Sequence, residues 1–280
     1  MSEKKRPFEE EIEDRTESNS YELAYRDESF LRRHELRSFR FQLELMKPEI
    51  GLNERGIDGT VAVFGSARIK PADDAEKNLA AAEAAHAADP ADAAAGAELA
   101  VAKRNARNAR YYEEARKLGR IIAEARSRLG GLAPTVLTGG GPGIMEAANR
   151  GATEAGGETV GLTIVLPKEE APNPWVTPGL CFRFHYFASR KMHFLMRAEA
   201  VVAFPGGFGT LDELFETATL IQTGKMNRIP LILFGKDYWT RLINLELMVE
   251  EGMISPNDPD LFSYVETAEE AWAAIRKFWD

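Results

Sequence analysis

Glu213 is the carboxylate best placed for chemistry in this chain. It lies in the stretch Ala200–Glu216, AVVAFPGGFGTLDELFE, which opens as a short apolar run, breaks at Pro205 and continues through Gly206, Gly207 and Gly209. A run this short, β-branched and uniformly apolar reads as a strand buried on both faces. The glycines permit tight or positive-φ backbone and the close approach of another molecule. From Leu211 the spacing of Leu211, Leu214 and Phe215 predicts a helix, which Thr210 can cap. A strand, a glycine turn and a helix start leave free N–H groups around an anion. Glu213 then falls in the first helical turn and looks into the same space. A carboxylate beside a phosphate cradle opposes phosphate binding, so its presence points to chemistry. A turn made only for a sharp reversal is the alternative reading of one isolated GGxG.

A second turn of the same kind weakens that alternative. Thr135–Thr138 reads as a strand and runs directly into Gly139-Gly140-Gly141-Pro142-Gly143-Ile144-Met145, then a helix to about Ala155. A third small-residue turn, Gly65-Ser66-Ala67-Arg68, follows the apolar run Thr60–Phe64. The cations come from Ala188–Ala198, ASRKMHFLMRA, read as a helix carrying Arg190 and Lys191. A surface ion pair would explain either cation as well as a ligand would. His193 is a lone histidine on that helix and is not expected to touch substrate, and His185 and His34 still less.

These groups need elements to hold them. Residues 1–20 are dominated by charge and are expected to be a disordered tail. Residues 21–58 form an expected N-terminal helical extension, one or two amphipathic helices broken by Pro48 and Gly51. Residues 59–280 form the main domain. Within it, residues 70–110 are rich in alanine and predict a helical insertion broken at Pro90 and Gly96, ahead of a return helix Tyr111–Leu129. Further strands are expected at Thr159–Leu166, Cys181–Phe187, Ala200–Phe204, Pro230–Phe234 and Tyr264–Val265, with helices at Tyr238–Glu250 and Ala268–Trp279. Lys168–Pro178, with its prolines, reads as an irregular rim or lid. Strands alternating with helices predict an α/β fold, a doubly wound, Rossmann-like parallel sheet with helices on both faces. In such sheets ligands bind at the carboxyl ends of the strands, where the three turns would converge.

The 280 residues carry a net charge of −9, which argues against a partner nucleic acid held by a basic surface. The one cysteine, Cys181, excludes an intrachain disulfide, and no Cys-based metal site is visible. No apolar run approaches the ~20 residues of a membrane helix, and the N-terminus lacks the apolar segment of a signal peptide. The expectation is a cytoplasmic protein with no membrane or nucleic-acid partner.

RKMHF and AVVAFPGGFGTLDELFE, preceded by LTGGGPGIMEAANRGA, resemble the "Lonely guy" family of phosphoribohydrolases, whose members have also been labelled lysine decarboxylase-like. The family motif PGGxGTxxE is matched without departure by Pro205, Gly206, Gly207, Gly209, Thr210 and Glu213. The other glycine motif is matched less closely, with Glu146 where a glycine is common. The Arg190-Lys191 pair matches, but Phe187-Ala188 replace the usual Met-His before it. The resemblance covers roughly Thr60–Val265 apart from the Ala-rich stretch, and the added helices look like the longer subtype.

The resemblance implies a nucleotide-binding catalytic domain that hydrolyses the N-glycosidic bond of a purine nucleoside 5′-monophosphate, with no cofactor and no metal. It implies catalytic roles for Arg190 and Glu213. Substrate-binding roles fall to Ser66, Gly139, Gly140, Gly141, Gly143, Met145, Lys191, Gly206, Gly207, Gly209, Thr210 and Glu216. Similar proteins associate through helices such as the one bearing Phe215, Leu220 and Ile221, so a homodimer or larger even-numbered assembly is expected. Two alternatives stand beside this. A decarboxylase would need a lysine for pyridoxal phosphate, and Lys191 has no evident partner for that role. A non-catalytic nucleotide or cofactor carrier of the same fold would not need the retained Arg190 and Glu213.

Overall fold

The computed structural model describes residues 19–167 and 171–279. The expected disordered tail therefore lies almost wholly outside the described residues, as does the start of the expected lid, residues 168–170. The chain divides into two compact units between Lys47 and Pro48.

The first unit holds α1 (Glu28–Leu31) and the start of α2 (Arg37–Glu54). Asp27 caps α1 by accepting from the Phe30 N–H at 2.8 Å. Arg40 Nη1 donates to the carbonyls of Leu31 at 2.7 Å and Arg33 at 2.6 Å, closing the connection between the two helices.

In the second unit α2 continues through Pro48 and Gly51, where the sequence predicts a break. Proline inside a helix costs about 3 kcal/mol. Here Pro48 and Leu52 are buried, and burial of that kind offsets the loss. Gly51 lets the helix lie against the Phe182 ring, which a Cβ would meet at 2.8 Å.

The remaining elements alternate in the predicted way. They are β1 (Thr60–Phe64), α3 (Ala72–Ala88), α4 (Ala93–Arg128), β2 (Thr135–Thr138), α5 (Ile144–Glu154), β3 (Thr159–Ile164) and β4 (Cys181–Phe184). Then follow α6 (Phe187–Met196), β5 (Ala198–Ala203), α7 (Phe208–Gln222), β6 (Leu231–Phe234), α8 (Lys236–Leu242), α9 (Leu245–Glu250), β7 (Phe262–Val265) and α10 (Ala268–Trp279). The seven strands form one sheet in the order β4-β3-β2-β1-β5-β6-β7. All six pairings are parallel. The chain works outward from β1 to β4, then returns to the other side of β1 with β5. That reversal is the switch point at which such sheets open a crevice.

The strands are buried on both faces, as their continuous apolar character requires. Val61, Val63, Val202 and Phe204 face α4, α5 and α10. Ala62, Phe64, Val201 and Ala203 face Phe194 of α6, Leu214 of α7 and Trp239 of α8. Strand alternation thus divides one short run between two cores.

Two predicted boundaries shift. The Ala-rich region is a hairpin of α3 and α4, and α4 is one 36-residue helix. Gly96 does not break it, because one glycine costs only about 1 kcal/mol against alanine-rich flanks. The break falls at Asp89–Asp92, where Asp92 caps α4 by accepting from the Ala94 N–H at 2.8 Å. The helix expected over Tyr238–Glu250 is two, since Asn244 restarts it by accepting from the Leu247 N–H at 3.0 Å. No helix among the described residues is long and apolar enough to cross a membrane.

Candidate active site

The carboxyl ends of β1 and β5 lie side by side. Phe204 N–H donates to the Phe64 carbonyl at 2.9 Å and Ser66 N–H to the Pro205 carbonyl at 3.0 Å. Beyond them opens a cavity of about 550 Å³, within the range of small-molecule sites. Gly65, Ser66, Ala67 and Arg68 line it from the β1 turn, Gly139 and Met145 from the β2 turn, and Gly207, Phe208, Gly209, Thr210 and Glu213 from the β5 turn and α7.

The β5 turn has the geometry of an anion cradle. α7 begins at Phe208, not Leu211, and its N-cap is Gly207 with no side-chain cap. Thr210 therefore lies inside the helix rather than capping it, and Glu213 sits in the second turn rather than the first. The first backbone donor returned within the helix is Leu211 N–H, to the Gly207 carbonyl at 3.0 Å. The N–H groups of Phe208, Gly209 and Thr210 thus precede the helical ladder, at the positive end of the helix. A Cβ at Gly207 or Gly209 would meet nothing within 4 Å, so these two glycines keep the approach to the backbone open. Gly206 does a different job: a Cβ there would overlap Thr210, and its carbonyl accepts from Tyr238 Oη at 2.5 Å. It does not line the cavity.

Arg190 and Glu213 meet on the cavity wall. Arg190 Nη1 lies 3.8 Å from Glu213 Oε1, and the two side chains are only 11% and 14% exposed. Arg190 Nε donates to the Leu162 carbonyl at 2.8 Å, and the guanidinium lies over the Phe194 ring, 4.9 Å from its centroid. Burial pulls the arginine down from its ordinary value, against the pull of Glu213. Burial pushes Glu213 up to about 7, against the opposing pull of Arg190. A carboxyl group poised near neutrality can take or give a proton at physiological pH.

The second glycine turn packs against the β1 turn. Gly140 has φ +72°, and its N–H donates to Thr138 Oγ1 at 3.0 Å. Gly143, also at φ +72°, lies against the backbone of Ser66 and Ala67, where a Cβ would clash. The N–H of Ile144, at the head of α5, donates to the Ser66 carbonyl at 3.2 Å. Gly139 and Met145 line the cavity, whereas Gly140, Gly141 and Gly143 lie outside its lining. Asn173 holds this turn in place. It donates from its backbone to Gly140 O at 2.8 Å, and from Nδ2 to Gly141 O and Asn149 Oδ1, both at 3.0 Å. The described part of the expected lid is thus tied down.

Lys191 and Glu216 also stand apart from the cavity lining. Lys191 Nζ reaches Asp212 Oδ1 at 2.9 Å and Glu216 Oε2 at 3.1 Å, so it clamps α6 to α7. The pairing keeps Arg190 and Glu213, each one position away from a clamped residue, opposite one another. His193 is buried beside Phe184, with the ring centroids 5.4 Å apart, and is not part of the lining. The apolar lining residues Phe187, Phe194, Ile164 and Leu166 carried no sequence signal. Phe208 did, as an aromatic residue set between glycines, and it is 92% exposed.

A protein of Rhodococcoides fascians described as a cytokinin riboside 5′-monophosphate phosphoribohydrolase is 30% identical over 174 residues, 61% of this chain and 83% of that protein. The chain belongs to the Lonely guy family. The family profile described as "Possible lysine decarboxylase" matches residues 145–275. A similarly named Lonely guy protein of Arabidopsis thaliana is 33% identical over 150 residues, 52% of this chain and 64% of that one, so less than two thirds of the plant protein is spanned. Among solved structures, a molybdenum cofactor binding protein of Rippkaea orientalis is 22% identical with a TM-score of 0.45, covering 61% of this chain and 88% of its own.

Proposed function

We propose that this protein hydrolyses the N-glycosidic bond of a purine nucleoside 5′-monophosphate, of the cytokinin type or AMP, releasing the free base and ribose 5-phosphate. The observation that carries the reading is the buried Arg190–Glu213 pair lining the same cavity as the uncapped start of α7. The 5′-phosphate sits on the N–H groups of Phe208, Gly209 and Thr210, and its binding holds the ribose for reaction. Glu213 lies beneath the sugar. As the bond to the base lengthens, positive charge builds on the sugar, and the carboxylate stabilises it. Glu213 takes a proton from the attacking water, whose oxygen bonds to the anomeric carbon. The electrons of the broken bond leave with the base, which accepts the proton. Arg190 orients the nucleotide and sets the protonation of Glu213. Ser66, Gly139 and Met145 complete the substrate wall.

The relatives' names support this reading, as does the unbroken PGGxGTxxE motif. A nucleotide substrate made inside cells supports a cytoplasmic place of action. Phe215 on α7 and Met192 and Met196 on α6 are exposed, which supports pairing of two copies. The deciding assay incubates the protein with AMP, adenosine and N6-isopentenyl-AMP and follows base release by chromatography. Both monophosphates are expected to be cleaved and adenosine hardly at all. Binding of AMP without release of base would overturn the hydrolase reading.

A further inference from the structure

A second cavity, of about 680 Å³, lies between α4 and α8. Its size also suits a small molecule. Three arginines line it, Arg107 and Arg110 from α4 and Arg241 from α8, against the single carboxylate of Asp237. The carboxylate is already engaged, with Arg241 Nη1 3.3 Å from its Oδ2. Arg110 leans on Tyr111: Nη2 donates to the phenol at 2.8 Å and the guanidinium lies 4.6 Å from the ring centroid. Its nearest carboxylate oxygen, on Glu266, is 3.7 Å away. Arg107 has no hydrogen bond or ion pair among the described residues, and Asn108 beside it adds a free amide to the lining. An excess of cations gathered in a concavity is notable in a chain of net charge −9. Asp237 and Glu266 offset Arg241 and Arg110, and among the described residues the Arg107 guanidinium is left over.

We propose that this cavity is a second ligand site, for a phosphorylated small molecule of nucleotide size. Guanidinium groups match phosphate oxygens with paired hydrogen bonds, and Arg107 of α4 and Arg241 of α8 line the same cavity to provide them. Tyr111 and Tyr238 give the site aromatic walls for the remainder of the ligand. The site backs on the β5 turn. Pro205 is part of its lining, and the Tyr238 hydroxyl holds the Gly206 carbonyl. A ligand here rests against the rear of the turn whose front carries the free N–H groups of α7. The assignment is independent of what the front cavity does.

Calorimetric titration of the whole protein with ADP and with inorganic pyrophosphate tests it. The comparison is wild type, Arg107→Ala/Arg241→Ala, and Lys103→Ala/Arg104→Ala, which removes the same charge from exposed positions of α4 outside the cavity. The cavity variant is expected to lose one class of sites, weakened at least about tenfold, with an unchanged thermal midpoint. The control should titrate as wild type. Superimposable isotherms for wild type and the cavity variant would overturn the proposal. So would an equal loss in the control, which would mean general attraction to a basic surface.

Discussion

Burial and pairing act on Glu213 in opposite senses, and the balance sets its chemistry. Burial raises its pKa to about 7, and Arg190 holds it from going higher. If the carboxylate is the working form, kcat/KM for AMP should fall on the acid side with an apparent pKa near 7. Arg190→Met should move that limb to higher pH, because the pull that favours the ionised form is gone. A limb that stays put in the variant would separate the two residues. Glu213→Gln removes the charge and keeps the shape. It is expected to lower kcat by about 10²–10³ while AMP binding survives. Asp212→Asn is the matched control, since Asp212 reaches Lys191 rather than the cavity, and it should stay near wild type.

The same shift makes a stability statement. The folded pKa of Glu213 lies above the ordinary value of 4.5, so between about 4.5 and 7 the folded state holds more protons than the unfolded chain. Its contribution is most favourable below 4.5 and is lost as pH rises to about 7. Glu213→Gln should match wild type in denaturant titrations near pH 4.5. At pH 8 it should be more stable, by about 3 kcal/mol at most. Equal stability at both pH values would mean that the carboxyl group is hydrated rather than buried.

At the scale of elements, the glycines divide by what lies beyond them. Gly207 and Gly209 face open space, whereas Gly119 and Gly151 sit where α4 and α5 press backbone on backbone. A Cβ at Gly151 would overlap the Arg116 carbonyl. Gly151→Ala is expected to destabilise by about 1–3 kcal/mol in urea, since neither helix backbone can yield cheaply. The Asn149–Asn173 network works differently, through polar satisfaction. Asn149 Nδ2 donates to Thr159 Oγ1 at 2.6 Å, and its Oδ1 accepts from Thr138 Oγ1 at 2.7 Å. Asn173→Ala leaves the Gly141 carbonyl without that donor, and a loss of about 1–3 kcal/mol is expected in the same titration. Wild-type stability in either variant would mean that the crossing or the network relaxes freely.

For the whole molecule the central device is the reversal between β1 and β5. It brings the ends of two strands together that are far apart in the chain, and Ser66 meets Pro205 across them. Exposed apolar groups beside this edge, Phe208 and Phe187 on the cavity rim and Met192 and Phe215 on the neighbouring helices, call for cover. The expected outcome of light scattering at micromolar concentration is a mass of two chains or a larger even number. One chain's mass would mean that this rim stays open to solvent.

The strands and the turns after β1, β2 and β5 were legible in the sequence, and Arg190 and Glu213, singled out by the resemblance, meet on one cavity wall. The strands and turns depend on local physics: continuous apolar runs for strands buried on both faces, glycine for turns. Where long-range packing competes with local propensity, the sequence misled. Pro48 reads as a break, yet α2 runs through it because burial outweighs one missing hydrogen bond. The Gly139–Gly143 turn reads as a second ligand cradle, yet it is largely consumed in holding Ser66 and Asn173. The resemblance implies substrate-binding roles for Lys191 and Glu216, yet Lys191, one position and about 100° round the helix from Arg190, reaches Glu216 across the two helices. Arg190 and Glu213 stay on the cavity wall. The sequence by itself determined which chemical groups the chain carries and the elements that bear them. Only the tertiary structure decided which of those groups share a cavity, because that depends on the directions of side chains brought together from distant strands.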